Sequence, residues 1–120
     1  MTQPKRIQRK RSKGWKMPEG AVYVGRPGKW GNPFRVAPLG NVFRVWSDIH
    51  NQFVWLEKFG GEVYDRDLAA KEAVRLYREY SVGSTLDFTQ LRGYDLACWC
   101  REGEPCHADV LLELANEAKQ

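Results

Sequence analysis

Short apolar runs, separated by glycine and proline, mark the strands that the sequence predicts. The run AVYV at residues 21–24 joins apolar and β-forming side chains between two glycines, which predicts a buried strand. The almost wholly apolar segment DLACWC at residues 95–100 predicts a central strand. Residues 34–36 and 42–46 predict a hairpin around the turn-forming sequence PLGN at residues 38–41.

Apolar residues at helical spacing predict two longer helices. The first is expected over residues 66–80, with Asp65 or Asp67 as its N-cap, and the second over residues 107–118. Shorter helical turns are expected over residues 50–59 and 85–91. The predicted apolar stripes are Ala70, Ala73, Val74, Tyr77 and Tyr80 on the first helix, and Val110, Leu111, Leu114 and Ala118 on the second.

A strand, a crossover helix, a second strand and a final helix are typical of an α/β layer. We therefore expect a single small α/β domain, with a mixed sheet of partly parallel strands flanked by helices. Ligands of such sheets bind outside the carboxyl ends of the strands, at loops that lead into helices. The loops at residues 25–33 and 100–107 both follow predicted strands, so we expect them to form one site.

The size and the cysteine content limit the class of protein. A chain of 120 residues is typical of one domain that folds without covalent staples. No run approaches the roughly 20 apolar residues of a membrane span, and no apolar stretch follows the basic N-terminus as in a secretory signal. Three cysteines within residues 98–106 favour reduced thiols over a disulfide framework. We therefore expect a cytoplasmic protein.

The excess positive charge is confined to the N-terminus. Residues 1–16 carry seven basic residues and no acidic residue, whereas the remainder has a formal charge of −3. This asymmetry predicts a basic arm over residues 1–13, followed by the domain over residues 14–120. A solvated tail is the competing interpretation. The arm residues expected to contact nucleic acid are Lys5, Arg6, Arg9, Lys10, Arg11 and Lys13, with Trp15 stacking on a base.

The loop at residues 25–33 has the composition of a ligand-binding loop. Its glycines allow the backbone to approach a ligand closely, and Arg26 and Lys29 can bind a phosphate or carboxylate. Trp30 offers a stacking face, and Asn32 can both donate and accept hydrogen bonds. The alternative is a rigid surface turn whose Trp30 packs into the core.

The second loop contains Cys98, Cys100, Cys106 and His107, which allow three interpretations. Cys106 and His107 open the last helix, where free N–H groups and the helix dipole favour an anion and lower the pKa of Cys106. The four residues also have the ligand types of a zinc site, although the CxC and CH spacings differ from the usual two-residue knuckles. A nucleophilic Cys106 assisted by His107 is the third interpretation. We favour the anion pocket, and we expect no cofactor and stability without zinc.

Several of these segments together resemble a known family. The motifs are PKRIQRKR with Gly14-Trp15, then YVGRP and KWGNPF, then LRG, LACWC and CHADVLLELAN. They resemble a family of small proteins from bacteriophages and actinobacteria that carry a domain of unknown function. This chain has Arg101 where the family often has proline. The resemblance implies that the arm and the two loops form one unit, and no reaction comes with it.

We therefore predict a pocket that binds, and either processes or sequesters, a nucleotide or another phosphate-bearing ligand. The alternatives are a nucleic-acid-binding protein that uses the arm and a zinc-stabilised interaction module. The sequence contains no clear acid–base pair for catalysis. The residues expected to bind the ligand are Arg26, Lys29, Trp30, Asn32, Cys100, Cys106, His107 and Asp109.

Overall fold

The computed structural model describes residues 3–117. It contains two three-stranded sheets, two α-helices and two short 3-10 helices. The strands are β1 (Arg6–Gln8), β2 (Val22–Tyr23), β3 (Phe34–Leu39), β4 (Val42–Ser47), β5 (Gln52–Val54) and β6 (Leu96–Cys98). The α-helices are α1 (Arg66–Val82) and α2 (His107–Asn116), and the 3-10 helices span Glu57–Phe59 and Phe88–Leu91.

The first sheet is parallel and has the order β1-β6-β2. Its central strand β6 is buried at every residue, which explains why this segment is almost wholly apolar. Both neighbours run parallel to it, with Ile7 and Tyr23 each opposite Ala97. The predicted α/β class, with a partly parallel sheet flanked by helices, is therefore confirmed.

Strand β1 lies inside the segment that we assigned to a basic arm. Its backbone is bound to β6, since Leu96 N donates to Lys5 O at 3.0 Å and Arg9 N donates to Cys98 O at 2.7 Å. The sequence RIQ has one apolar residue and is too short to establish the alternation that marks a strand. The interpretation as a solvated tail is therefore wrong for Arg6–Gln8, which form an edge strand of the sheet.

The second sheet is an antiparallel meander of β3, β4 and β5. The predicted hairpin is present, and its two-residue turn places Gly40 at a φ of +66°, a conformation that suits glycine. Helix α1 packs on β3 and β4, and Phe34 and Val45 meet Ala73 in a small core between these layers.

The short helix predicted over residues 50–59 is wrong. Asn51 adopts a φ of +56°, which ends the turn after β4, and the chain then extends into β5. Phe53 pairs with Trp46 across the two strands, with ring centroids 5.0 Å apart in an edge-to-face arrangement. This cross-strand pair stabilises the sheet and outweighs a weak helical spacing. Only Glu57–Phe59 forms a helical turn, of the 3-10 type.

Helix α1 confirms the longest predicted helix and is two residues longer than expected. Asp65 caps it by accepting a hydrogen bond from the backbone N–H of Asp67 at 2.8 Å. Ala73 and Tyr77 of the predicted stripe are buried, whereas Tyr80 is exposed. The buried face comprises Ala69, Glu72, Ala73, Tyr77 and Ser81. The pattern did not suggest Ala69, Glu72 or Ser81.

Helix α2 packs in the main core, together with the parallel sheet. Val110 and Leu111 are buried as predicted, and Leu114 is partly buried. Ala118 lies outside the described residues. Of the helical turns predicted over residues 85–91, only Phe88–Leu91 forms one, and it is capped by Asp87.

Candidate functional site

The two suspected loops meet at the carboxyl ends of β2 and β6. These strands are parallel neighbours, so the loop at residues 25–33 and the loop at residues 99–106 leave the same edge of the sheet. A cavity of about 420 Å³ opens between them and α1. Its lining includes Arg26, Asn32, Cys100, Cys106 and His107.

Lys29, Trp30 and Asp109 do not line this cavity, although the sequence suggested that they would. The Lys29 ammonium binds Gln90 Oε1 at 2.8 Å. Asp109 forms an ion pair with Arg6 at 3.0 Å. Both side chains are therefore engaged elsewhere in the chain.

Trp30 is a core residue and offers no stacking face to a ligand. It is only 8% exposed, it contacts Phe88, and its carbonyl oxygen accepts a hydrogen bond from the Tyr77 hydroxyl at 2.7 Å. Trp30 therefore packs into the core, as in the alternative interpretation, and its buried ring does not support the stacking role.

Asn32 lines the cavity, but its amide oxygen and nitrogen form hydrogen bonds within the chain. Its Oδ1 accepts from Phe34 N at 2.8 Å, and its Nδ2 donates to Ala73 O at 3.4 Å. These bonds attach the end of the loop to α1. The residue therefore positions the loop.

The cavity is lined by three arginines, namely Arg26, Arg35 and Arg66. Arg35 is held by Asp48 through two hydrogen bonds of 2.8 and 2.9 Å. Of the described residues that line the cavity, only Glu104 carries a carboxylate, and it accepts from Arg101 N at 3.0 Å. The charge of the lining is therefore predominantly positive.

Within the described part of the chain, the guanidinium of Arg26 has no hydrogen bond or ion pair. The pKa of Arg26 is lowered, first by loss of solvent around the guanidinium and then by the positive charge of Arg35. Gly31 allows the close approach that places this side chain, because a Cβ at Gly31 would lie 3.0 Å from Cγ of Arg26. An anion bound in the cavity would offset the neighbouring positive charge and stabilise the charged form of Arg26.

His107 is the first residue of α2 and joins that helix to β2. Its Nε2 donates to Val24 O at 2.7 Å, which leaves the Nδ1 lone pair 3.9 Å from the sulfur of Cys106. Burial lowers the pKa of His107 despite this hydrogen bond, so the imidazole is neutral at pH 7. The long distance to Cys106 does not favour the pair as nucleophile and base.

The three cysteines of the chain converge beside the cavity. Their sulfur atoms all lie within 4.8 Å of one another, and those of Cys98 and Cys106 are 3.2 Å apart. All three are free thiols. The thiols Cys98, Cys100 and Cys106 are therefore the group in residues 3–117 that could hold a metal ion.

Hydrogen bonds among the thiols shift the pKa values of Cys98 and Cys106 in opposite directions. Donation from Cys100 and Cys106 lowers the pKa of Cys98. The pKa of Cys106 is raised by its hydrogen bonds to Cys100 and Cys98 and then by burial. The pKa of Cys106 is thus raised, and not lowered as we expected from its position at the start of α2.

Arg6 is a residue of the site that the sequence did not indicate. Its guanidinium donates to Glu104 O at 2.9 Å and to Arg101 O at 3.0 Å, besides its ion pair with Asp109. With a side chain 13% exposed, it fixes the loop that follows β6 to the start of α2. No local motif could have revealed this, because the partners are about a hundred residues away.

Other arm residues also contact the body of the domain. Arg9 lies over both Tyr23 and Trp99, 4.7 Å from each ring centroid, and Arg11 lies 4.4 Å from the Trp99 ring. Lys5 forms an ion pair with Asp95 at 3.3 Å. By contrast, the residues Lys10 and Lys13 are exposed, and Trp15 is partly buried.

Fold and site together define an α/β domain with an arginine-lined and thiol-lined cavity at the carboxyl edge of its parallel sheet. The chain belongs to the family described as a domain of unknown function, DUF4326, whose model matches residues 7–117. No curated protein and no solved structure matches the chain. None of the helices in residues 3–117 is long and apolar enough to cross a membrane.

Proposed function

We propose that this cavity binds a phosphate-bearing small molecule such as a nucleotide. The observation that carries the proposal is Arg26, a cavity-lining guanidinium without a protein partner in the described chain, next to Arg35 and Arg66. A guanidinium presents a planar fork that matches the oxygens of a phosphate, so an anion of this class is the natural partner.

The dimensions and the remaining lining fit the same class of ligand. A cavity of about 420 Å³ falls within the range of small-molecule sites. Phe34, Val36 and Val74 supply apolar surface, which suits the uncharged part of a nucleotide. Arg26 lies in the first loop, whereas Arg35 and Arg66 come from β3 and α1.

A panel of ligands tests this proposal directly. Inorganic phosphate, pyrophosphate, nucleosides and nucleoside mono-, di- and triphosphates are titrated calorimetrically, with chelator present so that metal effects are absent. We expect affinity to rise with the number of phosphates and nucleosides to bind weakly. Equal binding of nucleosides and nucleotides, or no binding by any of them, would refute the proposal. Chromatography of the same mixtures distinguishes processing from sequestration.

Nucleic-acid binding through the N-terminal segment is the alternative proposal. It has less support, because Lys5, Arg6, Arg9 and Arg11 already contact groups of the domain. The exposed Lys10 and Lys13 remain available to phosphates.

A further inference from the structure

We propose that Cys98, Cys100 and Cys106 form a binding site for one zinc ion. The geometry carries this inference independently of the ligand proposed above. The three sulfur atoms lie within 4.8 Å of one another, although Cys98 and Cys106 come from different elements of the fold. Tetrahedral ligands with Zn–S bonds of about 2.3 Å are roughly 3.8 Å apart, so small side-chain adjustments suffice.

The spacing argument against zinc does not apply to the folded chain. A CxC pair considered alone counts against zinc, because its spacing differs from that of the usual two-residue knuckle. Here β6 ends at Cys98, and Cys100 lies in the loop beyond it. Cys106 arrives from the other end of that loop, as the N-cap of α2.

The surroundings suit a thiolate-bound dication. Zinc binding displaces the thiol protons to solvent, and three thiolates with one Zn²⁺ leave a net charge of −1. Arg6 supports this charge, since its guanidinium is fixed to the loop between Cys100 and Cys106. All three cysteines line the cavity, so an ion has a route to the site.

Three thiolates leave one position of a tetrahedral ion for another ligand. The group of atoms within 4.8 Å of one another does not include His107. Its Nδ1 carries a free lone pair near Cys106, because Nε2 donates to Val24. Such an arrangement, with one ring nitrogen held by a backbone carbonyl, is typical of histidines beside metals. The proposal requires only the three cysteines.

The test uses the full chain, purified with a non-thiol reductant. Metal analysis is expected to find one zinc per chain, and the apoprotein is expected to compete for zinc with a chromophoric chelator. Cobalt substitution is expected to give the intense absorption of thiolate-to-metal charge transfer. Absence of zinc binding by the reduced apoprotein would overturn the proposal.

Two variants provide the comparison. Cys100→Ser replaces the partly buried thiol and keeps Cys98 and Cys106, which are buried in the core. It is expected to weaken zinc binding by about a hundredfold or more. Glu62→Gln removes an exposed carboxylate outside the cavity lining and is expected to bind zinc like the unmodified chain. Circular dichroism confirms the fold of both. Equal zinc affinity of Cys100→Ser and the unmodified chain would refute the site.

Discussion

The Nε2 of His107 donates a hydrogen bond to the carbonyl oxygen of Val24 at 2.7 Å. Val24 directly follows β2 and is buried, and His107 is the first residue of α2. One side chain thus joins the two segments that border the cavity, and it satisfies a carbonyl that water does not reach.

Replacing His107 by alanine is therefore expected to destabilise the fold. The Val24 carbonyl loses its partner in a buried position, which costs about 1–3 kcal/mol in the free energy of unfolding. Urea unfolding with chelator and reductant measures the effect without any contribution from metal. His50→Ala is the control, since His50 is exposed and is expected to have the smaller effect. Equal stability of His107→Ala and the unmodified chain would show that the contact contributes little.

Arg26→Ala is expected to weaken binding of a phosphate ligand about tenfold or more. A charge-assisted hydrogen bond contributes about 1.5–3 kcal/mol, and 1.4 kcal/mol corresponds to a factor of ten. Arg26→Lys keeps the charge but loses the planar fork, so only partial recovery is expected. Calorimetry measures the affinity and thermal unfolding measures the stability of each variant.

The control for Arg26 is Lys58→Ala, which removes one exposed positive charge outside the cavity lining. It is expected to leave the affinity nearly unchanged. If Arg26→Ala lowers the melting temperature but binds as tightly per folded molecule, the loop is scaffold and the proposed site is wrong.

Arg6→Ala is expected to lower the free energy of unfolding by about 2 kcal/mol or more. Its guanidinium makes three hydrogen bonds to the loop and to Asp109 while largely removed from solvent. Lys10→Ala, four residues away and exposed, should change stability by less than about 0.5 kcal/mol. Chemical denaturation compares the two. A similar free energy of unfolding for Arg6→Ala and Lys10→Ala would argue against a structural role for Arg6.

Nucleic-acid binding, if it uses this segment, must depend on Lys10 and Lys13. The double variant Lys10→Ala/Lys13→Ala is expected to weaken binding of DNA or RNA and to reduce its salt dependence. These substitutions leave β1 in place, whereas deletion of residues 1–13 would also remove an edge strand. Fluorescence anisotropy at several salt concentrations measures the effect. Unchanged binding, or none at low salt, would eliminate this alternative.

Tyr77 is expected to give the fold a specific sensitivity to alkaline pH. Burial raises the pKa of Tyr77 to about 12, against an ordinary value near 10 in the unfolded chain. The folded state therefore disfavours the phenolate, so the contribution of Tyr77 is complete below pH 10 and is lost as pH rises toward 12. The stability advantage over Tyr77→Phe is expected to shrink across that interval. An advantage independent of pH would contradict the assigned burial effect.

The sequence by itself determined the elements whose signals are local. The run AVYV and the segment DLACWC each contain the predicted strand, although the second strand ends at Cys98. The turn at Gly40-Asn41 and the capped helix after Asp65 also appear where the local sequence predicts them. Periodicity failed where the signal was weak, as in residues 50–59, where pairing of Phe53 with Trp46 decided in favour of a strand. The positions of the two loops also followed from the order of strands and helices.

Only the tertiary structure decided which side chains share the site. In the folded chain, Trp30 is buried in the core, Lys29 binds Gln90 and Asp109 binds Arg6. Arg35 and Arg66 line the cavity instead. It also made Arg6–Gln8 a strand through pairing with residues about 90 positions away. Such contacts depend on the packing of distant segments, and a local pattern carries no information about them. The convergence of the three cysteine thiols is of the same kind, because the turn between Cys98 and Cys106 is fixed by the sheet, α2 and Arg6 together.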